Sequence, residues 1–121
     1  VLESCVMINT GLASFHLNFL PVEAQFSPVY AIAADDFDDD GICDIVFGGN
    51  QYRAKPETGI YNASYGLYLK GNTDGTWYAV PSVISGFFTK GEVRDLEILT
   101  IFGSRIIAVV RNNDKLEFYK Y

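Results

Sequence analysis

Ala31-Ile32-Ala33-Ala34-Asp35-Asp36-Phe37-Asp38-Asp39-Asp40-Gly41-Ile42-Cys43-Asp44-Ile45-Val46-Phe47-Gly48-Gly49 is the stretch on which the fold turns. Two short apolar runs flank an acidic segment with the pattern Asp-x-Asp-x-Asp-Gly-x-x-Asp, set by Asp36, Asp38, Asp40, Gly41 and Asp44. Runs of this length are sized for buried strands and are too short for helices. The segment therefore reads as a hairpin whose tight loop is acidic. Alternate residues of such a loop converge on one point, and Gly41 permits the sharp turn that aims the Ile42 carbonyl inward.

Converging carboxylates are what a hard cation needs. Calcium takes about six to eight oxygens at about 2.3–2.6 Å, and Asp36, Asp38, Asp40 and Asp44, with the Ile42 carbonyl and water, would supply them. Magnesium demands stricter octahedral geometry and keeps its waters, so it suits the loop less well. Zinc suits it least, because Cys43 and His16, the nearest softer ligands, lie far apart in sequence. Two carboxylates about 4 Å apart repel by about 1 kcal/mol in bulk water and by about 4 kcal/mol at an effective dielectric of about 20. Without a cation, four converging aspartates would strain the loop. The competing reading is a solvated acidic turn with its side chains splayed outward. An EF-hand fails, since Phe47 stands where its bidentate glutamate belongs and no helical pattern flanks the loop.

Outward from this hairpin the chain reads as nearly all β. It has 121 residues, 49% hydrophobic and 20% charged, which is enough for one core and argues against disorder. Strands are expected at about Glu3–Ile8, Ser14–Leu20, Val29–Ala34, Asp44–Phe47, Gly66–Leu69, Thr76–Val80, Val93–Ile101, Arg105–Arg111 and Leu116–Tyr119. Asn9-Thr10-Gly11, Asn72-Thr73-Asp74-Gly75, Gly103-Ser104 and Asn112-Asn113-Asp114 are expected as turns, because Gly, Asn and Asp tolerate positive φ. Net charge is −6, and Asp35, Asp36, Asp38, Asp39, Asp40 and Asp44 alone supply six negative charges, so the rest of the chain sums to zero. Acidity is local, and no basic cluster is present to neutralise phosphates, which disfavours nucleic acid. No apolar run approaches the roughly 18–20 residues of a membrane-crossing helix. Val1–Cys5 does not read as a leader, so an exported protein would have lost its leader before residue 1. Cys5 and Cys43 permit one disulfide or two free thiols.

A repeat emerges with a spacing of about 60 residues. Cys5–Gly11, then Phe15, closing at Pro21, parallels Leu67–Gly75, then Trp77, closing at Pro81. Asp44–Asn50 similarly echoes Ile106–Asn112. The unit is a four-stranded antiparallel sheet, with the end of one unit over 1–20, a complete one over 29–80 and most of another over 92–121. Repeated four-stranded sheets of this kind form propeller blades. A little over two of them would need the rest of a longer protein, or association, to cover their faces. The connection Gln51–Tyr65 lacks alternation. Its Tyr52, Tyr61 and Tyr65 either offer a stacking surface for a sugar or peptide or pack the loop onto the sheet.

The stretch Ala33–Gly49 resembles an FG-GAP or VCBS repeat. Gly66-Leu67-Tyr68-Leu69 and Gly75-Thr76-Trp77 are similar to the next two strands of that repeat. Lys90-Gly91-Glu92-Val93-Arg94-Asp95 through Asp114 is similar to the final blade of exported bacterial members. The resemblance implies an all-β fold of antiparallel four-stranded β-propeller blades like the integrin α-subunit head, about two of them here. Calcium would lie in the hairpin between the first two strands of a blade. Departures are Asp39 where Gly is frequent, Phe26-Ser27 near the expected Phe-Gly, and Gly48-Gly49-Asn50 for Gly-Ala-Pro. Asp39 is tolerable because Asp enters left-handed conformations readily. The next equivalent hairpin, Ile101–Arg105, has no carboxylate, so one ion is expected.

The function this implies is a non-catalytic calcium-binding segment of an extracellular, periplasmic or cell-surface protein, serving adhesion, ligand binding or assembly. Its partners would be a protein or glycan, neighbouring blades, or a second copy. The alternative is a propeller or carbohydrate-binding part of a polysaccharide-degrading enzyme. Glycoside hydrolysis needs two carboxyl groups flanking a cleft, and Glu57 has no evident partner. His16 shares a strand face with Asn18 and reads as a surface residue, and no nucleophilic triad is apparent.

Overall fold

A computed structural model describes residues 3–49 and 65–121. Among them are nine strands: β1 (Cys5–Gly11), β2 (Ser14–Phe19), β3 (Ala31–Asp35), β4 (Asp44–Gly48), β5 (Leu67–Gly71), β6 (Trp77–Val80), β7 (Val93–Ile101), β8 (Ser104–Arg111) and β9 (Glu117–Lys120). All pairings are antiparallel between sequence neighbours, giving sheets β1-β2, β3-β4-β5-β6 and β7-β8-β9. The all-β reading and its antiparallel pairing thus hold.

The sheets pack in chain order, and strand alternation decides which side chains meet. In β4, buried along its whole length, Ile45 and Phe47 join Leu20, Ala24 and Leu69 on the side of the β1-β2 sheet. Val46 points the other way, into a cluster with Ala31, Ala33, Val93, Leu96, Ile107 and Val109. The four-stranded sheet is therefore apolar on both faces, and Leu69 and Val109 are fully buried. Gly48 lets β4 approach β7, because a Cβ there would collide with the Val93 side chain.

Turn positions differ from expectation in two hairpins. Residues Leu12 (φ 50°) and Ala13 (φ 58°) turn the β1-β2 hairpin, while Asn9 and Gly11 flank a bulge inside β1. Phe102 (φ 50°) and Gly103 (φ 77°) turn the β7-β8 hairpin. Two left-handed residues match the twist of the flanking strands, so strand register overrides residue preference here. A 3₁₀ turn at Val22–Gln25 follows Pro21 and a helical turn, α1 (Ser82–Ser85), follows Pro81; neither was expected. The two thiols are free, with Cys5 half-buried and Cys43 exposed.

Candidate metal centre

The acidic loop spans residues 36–43 between β3 and β4, whose pairing closes at Asp35↔Asp44. It winds back on itself through two left-handed residues, Asp39 (φ 60°) and Gly41 (φ 84°). The Asp36 carboxylate holds that shape by accepting from the Asp40 N–H at 3.0 Å and the Gly41 N–H at 2.8 Å. Asp40 in turn accepts from the Ile42 N–H at 2.9 Å. One carboxylate oxygen each from Asp36, Asp38 and Asp40 then lie within 4.8 Å of one another.

Asp44 is not part of that group. It is 0% exposed, and its Oδ2 accepts from the Tyr68 hydroxyl at 2.7 Å and the Phe37 N–H at 3.2 Å. Its Oδ1 accepts from the Gly71 N–H at 2.8 Å. Ile42 is half-buried and packs towards Gly71, where a Cβ would strike the Cys43 carbonyl oxygen and lie 2.8 Å from Ile42 Cγ2. The Trp77 indole N–H donates to the same Cys43 carbonyl at 3.0 Å. Strands β5 and β6 thus grip the far side of the loop.

Two basic side chains, absent from the sequence reading of the site, reach the loop from other strands. Lys70 of β5 bridges Asp38 and Asp40, with its ammonium 2.7 Å from Asp40 Oδ2. Arg105 of β8 pairs with Asp35 at 3.1 Å and with Asp39 at 2.6 Å, its guanidinium 4.9 Å from the Tyr121 ring centroid. The fold therefore supplies part of the counter-charge that the sequence alone assigned to an ion. No local signal marks these partners, which lie 30 and 66 residues beyond the aspartates they meet. Phe37 adds an apolar pin, edge-on to Tyr121 at 4.7 Å and to Tyr68 at 6.1 Å.

Electrostatics follow from these contacts. The Tyr121 hydroxyl, donating to Asp35 at 2.7 Å, is the main cause that lowers the Asp35 pKa, with the Asp36 N–H and Arg105 adding to it against partial burial. Burial, then the Asp35 hydrogen bond, pushes the Tyr121 hydroxyl up to about 12. Burial and the Asp44 hydrogen bond raise Tyr68 further. Partial desolvation at the loop base, then the Asp44, Asp35 and Asp36 charges, raise the thiol of Cys43, which is otherwise exposed.

Three hard oxygen donors, two of them already drawing an ammonium, are chemically suited to a metal ion, and a divalent ion there would compete with Lys70. His16 is exposed on β2. Tyr65 stacks on Phe88, centroids 5.0 Å apart, which favours the packing reading for that tyrosine. Tyr52, Tyr61 and Glu57 lie outside the described residues. No family model, curated protein or solved structure matches the chain.

Proposed function

We propose that this chain is a non-catalytic calcium-binding segment of a β-propeller in an exported or cell-surface protein, used for adhesion, ligand binding or assembly. The observation that carries the reading is the convergence of Asp36, Asp38 and Asp40 at the tip of one hairpin. Asp36, Asp38 and Asp40 would hold the ion, with Asp44 fixing the loop from beneath and carbonyl and water oxygens completing the shell. When bound, the ion supplies structural cross-linking, joining the loop to itself at a point where carboxylates otherwise repel. At about 100 times its dissociation constant such a ligand adds about 2.7 kcal/mol to stability.

Two features support the propeller reading. One complete four-stranded antiparallel meander packs between two partial ones. The strand pairs β1-β2 and β5-β6 each run into a proline followed by one helical turn. Exposed apolar residues on the outer sheets, Met7 (63%), Phe19 (60%) and Phe118 (57%) among them, favour further sheets or a second copy as partners. Among the described residues no helix is long and apolar enough to cross a membrane.

Calorimetric titration with calcium tests the site. Saturable binding of one ion, lost in Asp40→Ala, is expected; absent heat, or heat unchanged by the substitution, refutes it.

A further inference from the structure

A cleft of about 630 Å³ opens between the four-stranded and three-stranded sheets, beside the acidic loop. That volume falls in the range of about 300–1,000 Å³ typical of small-molecule sites. Its origin is the packing geometry: β3 and β4 close on β7, while the later strands of the two sheets bound an open slot. Val46 and Ile107 line its apolar part, and Tyr68, Tyr78, Tyr119 and Tyr121 bring aromatic rings to it. Three of these rings are already fixed. The hydroxyls of Tyr68, Tyr119 and Tyr121 donate to Asp44, the Phe88 carbonyl and Asp35 respectively. Their rings therefore present stationary surfaces, and little side-chain freedom remains to be lost on binding. Tyr78 is 45% exposed, on the face of β6 opposite Trp77 and Ala79, which join the other core.

At the loop end of the cleft lie Asp38 and Lys70, a carboxylate and an ammonium side by side. The ammonium, already donating to Asp38 and Asp40, keeps one further N–H, and the Asp38 carboxylate keeps its second oxygen outside that contact. A purely apolar occupant would desolvate this pair without bonding it, at a cost. A sugar ring meets both demands, offering an apolar C–H face to a tyrosine and adjacent hydroxyls that accept from Lys70 and donate to Asp38. We propose that the inter-sheet cleft binds a pyranose, with Tyr78 as the stacking surface and the Asp38–Lys70 pair reading two neighbouring hydroxyls. The cleft shares Asp38 with the proposed metal centre, so the sugar is read by the loop in its ion-free state, with Lys70 paired to Asp38.

The test is amide chemical-shift titration of the whole chain in chelator, where Asp38 and Lys70 pair as described and calcium binding is not sampled. A failed sugar titration and a failed calcium titration are then separate results. The probes are methyl glucoside, methyl galactoside and methyl mannoside, which differ in the orientation of adjacent hydroxyls, with phenol as the contrast. At least one glycoside should shift the Lys70, Tyr78 and Ala79 amides and bind about tenfold more tightly than phenol. Tyr78→Ala and Lys70→Met should each weaken it about tenfold while leaving the remaining spectrum in place. No shifts up to the solubility limit, shifts elsewhere, or phenol binding as tightly as the best sugar would each overturn the assignment. So would a spectrum of both variants that stays folded and binds the sugar as the parent does.

Discussion

Asp44 illustrates how far spacing carries at the level of one residue. Its place in the Asp-x-Asp-x-Asp-Gly-x-x-Asp pattern marked it as a ligand, yet as the first residue of β4 it turns inward and accepts three hydrogen bonds. What the pattern could not convey is which residues donate, since Tyr68 and Gly71 belong to β5. Removing a buried acceptor leaves those donors unsatisfied, at about 1–3 kcal/mol for each orphaned group. Asp44→Ala should therefore lower unfolding free energy by about 3 kcal/mol or more in urea titrations run in chelator, where no ion contributes. Lys70 argues the converse. Its ammonium occupies the carboxylates a divalent ion would use, so Lys70→Met should tighten calcium binding several-fold by calorimetry; unchanged or weaker binding would show that the lysine does not compete. The Tyr121–Asp35 hydrogen bond sets a pH dependence at both extremes. Tyr121 has a folded pKa of about 12 against about 10 unfolded, so its contribution is complete below pH about 10 and lost as pH rises towards 12. Asp35 is lowered, so its contribution is present above pH about 4 and lost as pH falls through the folded value. Unfolding free energy measured against pH should show both losses, and Tyr121→Phe should diminish both.

At the scale of the element, the hairpins were legible in the sequence, as were the turns at Asn72–Gly75 and Asn112–Asp114, but two tips fell elsewhere than expected. Apolar runs punctuated by Gly, Asn and Asp located all nine strands to within a few residues, because burial on one or both faces forces that pattern. Leu12-Ala13 and Phe102 escaped, since Leu, Ala and Phe are not residues that positive φ favours, whereas Gly103 turns as expected. The single turns after Pro21 and Pro81 are too short to leave a periodic signal. The acidic hairpin was read correctly as strand, loop and strand, and the left-handed Asp39 was anticipated from its chemistry. Gly71 shows what else the loop requires. A methyl group there would drive into the Cys43 carbonyl and Ile42, so Gly71→Ala should loosen the loop, lowering stability by about 1–3 kcal/mol. Slower amide exchange in residues 36–43 of that variant than in the parent would contradict the contact.

Considered whole, the molecule is a stack whose interior is finished and whose outer faces are not. Val46, Leu69 and Val109 are almost wholly buried between sheets, whereas Met7, Phe15 and Phe19 on the first sheet and Leu116 and Phe118 on the last remain open. Among the described residues, strand edges left without a partner beside these apolar faces favour association. The chain should therefore sediment above its monomer mass at micromolar concentration; a monomer at all concentrations would count against sheets seeking partners. The account's central claim concerns the acidic hairpin, and thermal unfolding in excess calcium and in chelator tests it most directly. Stabilisation of about 2.7 kcal/mol corresponds to a rise in midpoint of roughly 10 °C with calcium, which Asp36→Ala should abolish. Superimposable melts in calcium and chelator would contradict the claim.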